Sequence, residues 1–148
     1  MSNIISCDDF VAVLSDAFDS GSDFSFSPTG VSMQPMLNGS TDTVVLTKKP
    51  QKLNKYDVVF FRRSDDNAIV LHRIVKVVDD STYLVSGDSQ YHFESVNYDD
   101  IFAVLKSFTH NGKAVTTDSF CYKVYCRIIL LKKYIRLFLS KLYHKIIK

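Results

Sequence analysis

Residues 68–78 read AIVLHRIVKVV, and the fold depends on whether this run is a strand. It is dense in Ile and Val, whose branched Cβ suits the pleated backbone. Polar loops, RSDDNA before it and VDDST after it, cut it to strand length. Runs of the same kind recur on both sides: TVVLTK at 43–48, YDVVFFRR at 56–63, TYLVSGD at 82–88 and DIFAVLKSFT at 100–109. THNGKAV, at 109–115, carries the Asn-Gly pair of a tight hairpin. The pattern predicts a mainly β protein, a small antiparallel domain.

A helix is expected at each end. Residues 8–18, DDFVAVLSDAF, place Phe10, Val11, Leu14 and Phe18 at helical spacing behind two aspartates, and DSGSDFS then breaks the run. The expected organisation is an N-terminal helix and linker over 1–25, the β domain over 26–118 and a basic amphipathic helix over 119–148. A chain of 148 residues that is 46% hydrophobic suits one domain with a real core.

Charge is unevenly shared. Residues 1–118 hold ten Lys or Arg against all sixteen acids, a net −6, whereas residues 119–148 hold eight basic residues and no acid. Such a tail seeks a negatively charged partner. Cys7, Cys121 and Cys126 have no metal-ligand spacing and leave one unpaired, so three ordinary thiols in a reducing compartment are expected. No motif calls for a metal or cofactor. No Lys or Arg precedes Lys48, so the first residues lack the positive region of a secretory signal. No uncharged apolar run approaches the ~20 residues that cross a bilayer.

In the tail, Val124, Ile128, Leu131, Ile135, Phe138, Leu142 and Ile146 recur every three or four residues as one apolar stripe, with Lys123, Arg127, Lys141, Lys145 and Lys148 on another side. Two accounts stand. Either the stripe packs on the β domain, or the helix lies in the interface of an anionic membrane. The thirty acid-free residues favour the membrane and peripheral localisation. Nucleic acid is not expected, since the lysines alternate with aliphatics rather than stacking aromatics.

FSPTGVSMQPMLNGSTD, residues 26–42, sets Ser32 and Met33 in a turn-rich segment. A loop serine becomes a nucleophile only with a base. His92, His110 and His144 fall in a polar loop, a hairpin turn and the basic tail, but His72 interrupts the apolar run at 68–78. An imidazole in a buried strand needs a partner or a task. The plainer account is a histidine at the core's edge, satisfied by backbone.

GVSMQPML, YDVVFF, IVLHRIVKV and YLVSGD occur in this order, and over residues 26–104 the chain resembles the catalytic core of type I signal peptidases. That resemblance implies a Ser-Met pair carrying the nucleophile at Ser32, a base before arginine at His72, and a following Gly-Asp at Asp88. A histidine rather than a lysine in the base slot resembles the endoplasmic-reticulum-type branch. A histidine base starts near pKa 6.5 and needs a carboxylate to fix its tautomer. Asp88 matches the family's Gly-Asp and is favoured; Glu94, in HFESV, is the second candidate.

The implied activity is serine endopeptidase cleavage of signal or leader peptides with small residues near the cut. Ser32 would attack and His72 would take and return the proton. The chain departs from the lysine branch at Gly30, where that branch has a serine, so the oxyanion would rest on backbone N–H groups. The resemblance also implies work on the exoplasmic face, for which residues 1–25 offer no anchor. A self-cleaving repressor would need a DNA-binding domain, for which about 25 residues before the turn leave no room. A catalytically silent β-rich peptide-binding module and a maturation protease for one exported peptide remain as alternatives.

Overall fold

The computed structural model describes residues 6–147. Helix α1 (Cys7–Asp19) is followed by strands β1 (Phe24–Phe26), β2 (Val44–Lys48), β3 (Val58–Arg62), β4 (Ile69–Val77), β5 (Thr82–Ser86) and β6 (Glu94–Asn97). A 3-10 turn at Tyr98–Asp100 leads into β7 (Ile101–His110), β8 (Lys113–Thr116) and helix α2 (Phe120–Ile146). All eight strands join one antiparallel sheet in the order β1-β2-β7-β3-β4-β5-β6, with β8 paired to β7. This is the mainly β fold with a helix at each end that the sequence predicts.

Both faces of the central strands are covered, which is why β3 reads as an unbroken apolar run. Val58 and Phe60 enter one core with Leu14, Met33, Met36, Leu46, Leu105 and Tyr122. Val59 and Phe61 enter a second core with Ile74, Tyr83, Val85 and Ile101. The period of two along the strand fixes this partition. It also separates two adjacent polar residues of β4. His72 is registered opposite Val59 and meets Phe61 edge-on, whereas Arg73 is opposite Val58 and faces α2.

Local signals explain the ends of the elements. Ser6 caps α1 by accepting from the Asp9 N–H, and Asp8 and Asp9 occupy the first turn. Phe10 of α1 sits edge-on to Phe24, Phe26 and Phe60 at 5.4–5.7 Å, and Leu14 is buried. The β7–β8 hairpin turns on Asn111 and Gly112, both at positive φ, as a type I′ turn requires.

Two expectations are corrected. The division at residue 25/26 falls inside β1, which pairs with β2, so that segment belongs to the domain. The tail is not a separate unit either. Tyr122, Cys126, Leu130 and Lys133 of α2 are buried against the sheet. The apolar stripe faces away: Leu131, Phe138 and Ile146 are 60%, 65% and 74% exposed. The helix therefore packs, but by the face opposite the stripe.

Candidate active site

The Ser32 turn lies between β1 and β2. Gln34 N–H donates to the Val31 carbonyl (3.1 Å) and Leu37 N–H to that of Met33 (3.0 Å), coiling the segment, while buried Met33, Met36 and Leu37 pin it to the first core. Gly30 has φ +97°, in the left-handed region that favours glycine, and Gly39 lies so close to it that any Cβ there would overlap the Gly30 backbone. Phe26, Phe60, Ile69 and Leu71 line a groove of about 190 Å³ beside Ser32.

The turn rests on the segment that follows β5. The Ser32 carbonyl accepts from both the N–H and the hydroxyl of Ser89, each at 3.0 Å. A Cβ on Gly87 would lie 2.5 Å from that carbonyl oxygen and 3.0 Å from the Ser32 Cβ. Ser86 is registered opposite Arg73, the neighbour of His72, and Gly87 follows directly after it. The missing side chain of Gly87 leaves the room in which the Ser32 turn closes on this segment. Among the described residues no hydrogen bond joins the Ser32 hydroxyl to His72; catalytic hydrogen bonds often tighten only when substrate binds.

His72 is buried, and its Nδ1 is an enclosed polar atom with no hydrogen-bond partner. The nearest carboxylate is that of Glu94, with Oε1 3.6 Å from Nδ1, just beyond hydrogen-bond reach. Arg63 grips Glu94, with Nε 3.0 Å from Oε2, and His92 Nε2 lies 3.5 Å from Oε1. Burial pushes the His72 pKa down, and the charge of Glu94 only partly opposes it. With Arg63, His92 and Lys133 adding to the depression, it falls to about 4. His72 is thus neutral at pH 7, the form that accepts a proton.

Asp88 has a different partner from the one expected. Its two oxygens accept from Arg73 Nε and Nη2, each at 2.8 Å, and Tyr125 donates to Oδ2 at 3.0 Å. Arg73 also donates to the Tyr56 carbonyl (3.1 Å), the Tyr122 hydroxyl (3.0 Å) and Cys126 Sγ (2.9 Å). This buried pair, on the Arg73 face of β4, clamps α2 to the sheet. The carboxylate beside the imidazole is Glu94. The expectation that Asp88 orients His72 is corrected by the alternation of β4: adjacent residues face opposite sides.

Sequence reasoning missed Lys133. It is 2% exposed, and its Nζ donates to the Ser86 hydroxyl and the Gly87 carbonyl, both at 2.6 Å. Burial is the main cause that lowers its pKa, from 10.5 to about 8. The signal was present: Tyr122, Cys126, Leu130 and Lys133 recur at spacings of four, four and three, a second helical stripe ending in a lysine. The longer aliphatic stripe concealed it.

The depressed His72 pKa carries a stability consequence. An unfolded histidine binds its proton near pH 6.5, the folded one only near 4. The contribution of neutral His72 is present above pH 6.5 and is lost as pH falls towards 4. Chemical denaturation between pH 7 and 4 should lose on the order of 3 kcal/mol from this group, and His72→Gln should flatten that dependence. An unchanged pH profile in the variant would show that His72 does not carry it.

Comparison with family models, curated proteins and solved structures finds no match for the chain.

Proposed function

We propose that the protein is a serine endopeptidase of the signal peptidase type. Ser32 is its nucleophile, His72 its general base and Glu94 the carboxylate that orients the imidazole. The observation that carries this reading is a buried, neutral His72 beside Glu94, with the Ser32 turn closed on Gly87, the residue directly after the one registered opposite Arg73. With Nδ1–H turned towards Glu94, Nε2 is left as proton acceptor. Ser32 attacks the scissile carbonyl, His72 takes the hydroxyl proton and returns it to the leaving amine, and water hydrolyses the acyl-enzyme. The substrate is an extended signal or leader peptide with small residues near the cut. An activated-serine phosphonate, which needs only the nucleophile and its base, should label Ser32. A protein that stays folded yet unlabelled would favour a β-rich peptide-binding module instead.

The same reading sets the enzyme on an anionic membrane surface. No described helix is long and apolar enough to cross a membrane. The exposed stripe of α2 points away from the sheet, flanked by Lys132 and Arg136 on one side and Arg127, Lys141 and Lys145 on the other. An apolar centre between basic margins suits the interface of anionic lipid, each lysine adding ~1 kcal/mol near the surface. The full chain should sediment with phosphatidylserine-containing vesicles at low salt and less so as salt rises. Phe138→Glu with Leu142→Glu, both exposed, should abolish binding without touching the fold. Binding unaffected by that pair would remove the stripe from the account.

A further inference from the structure

Lys133 has no role in the triad, yet its ammonium is buried against the segment on which the Ser32 turn rests. A buried ammonium is costly, and here no carboxylate compensates it directly. Asp88, the carboxylate whose charge bears most on it, is taken by Arg73, whose own positive charge opposes Lys133. A helix that needed only to pack would favour leucine at this position. Instead the amine reaches Ser86 and Gly87, the segment on which the Ser32 turn rests. Its charge also acts on His72, alongside Glu94, Arg63 and His92.

We propose that Lys133, delivered by the C-terminal helix, is a positioning residue of the Ser32–His72 site. Its ammonium fixes the Gly87 carbonyl behind the nucleophile and disfavours protonation of the imidazole. The inference rests on the protease reading above. It makes α2 an active-site element as well as a clamp on Arg73. Lys133 touches no substrate; it acts through Gly87 and His72.

The two effects separate in variants. Lys133→Met removes both the charge and the donor, whereas Lys133→Gln removes the charge and keeps a donor. Both should hold their thermal stability or gain, because the buried charge goes. Phosphonate labelling of Ser32 should slow ~10²-fold in the methionine variant, the scale of a small misplacement at a reacting atom, and recover in part with glutamine. Imidazole carbon NMR of His72 should show its titration raised by about half a pH unit in both variants, as expected on removing one unit charge within a Debye length.

A purely structural lysine would alter stability and leave the His72 titration in place, and that result overturns the proposal. Labelling that needs Lys133 but survives His72→Ala would also overturn it, making the amine itself the base. In the unaltered protein, NMR of Lys133 Cε should show it titrating well below 10.5. An ordinary value would place the amine in solvent and refute the inference whatever the variants do. Should the unaltered protein take no label, the protease reading fails, while the His72 titrations still report on Lys133.

Discussion

Ser32→Ala and His72→Ala should each abolish peptide cleavage, by on the order of 10⁴–10⁶-fold, with the serine variant keeping its melting temperature to within a few degrees. The size follows from the way a nucleophile and its base act as one unit: with either gone, the acylation step has no route. The double variant should therefore be no worse than either single one. Ser32 is half-exposed on a turn pinned by Met33, Met36 and Leu37, so losing one hydroxyl removes no packing. His72 is buried, and truncation to alanine leaves a void beside Phe61. His72→Gln is the companion variant that fills it. Activity retained in a folded Ser32→Ala protein would sink the mechanism.

The two acids should part company. Asp88→Ala leaves the Arg73 guanidinium buried without its carboxylate and should cost about 3–5 kcal/mol. For a chain of this size that is a fall in melting temperature on the order of 10 °C. Glu94→Gln should leave stability within about 1–2 kcal/mol, since Arg63 is a partly solvated partner. It should nevertheless slow acylation by up to ~10⁴-fold by freeing the imidazole to take the wrong tautomer. Thermal unfolding and labelling rates on the two variants decide the matter. A slow but fully stable Asp88 variant beside an active Glu94→Gln would return the orienting role to Asp88.

Much of this architecture was legible in the sequence, because a strand with one buried face must alternate and a strand with two must run apolar. The runs around Val44, Val58, Ile69, Tyr83 and Ile101 all became strands. What escaped were the short ones. β1, three residues of Phe-Ser-Phe, sat in what read as a linker, and β6, Glu94–Asn97, is polar. Neither carries enough period to be distinguished from loop, and both are edge strands fixed by their partners. The position of Ser32 over Gly87 could not be read either, since it depends on a close approach of two turns 55 residues apart.

The acids show where pattern stops. Gly-Asp after β5 matched a family motif and so drew the orienting role to Asp88, but Arg73 lies next to His72 in sequence and on the opposite face in space. The arginine takes the aspartate, and Glu94 is left to the histidine. The tail misled in a different way. Its long aliphatic stripe left packing on the sheet and a membrane interface both open, and it hid the opposite face. On that face Tyr122, Cys126, Leu130 and Lys133 are buried, and Tyr122 and Cys126 meet Arg73. Aliphatic spacing alone does not distinguish a face that meets protein from one that meets lipid.

The central claim is that Ser32 is an activated nucleophile, and the most direct measurement is the site of covalent modification. The purified full-length protein is treated with an activated-serine phosphonate at pH 7.5 and digested, and the adduct is mapped by mass spectrometry. The account predicts one adduct per chain, on Ser32, absent from heat-unfolded protein and strongly slowed in His72→Gln. A folded protein left unmodified, or one modified at several surface serines at the rate of its unfolded form, would contradict it.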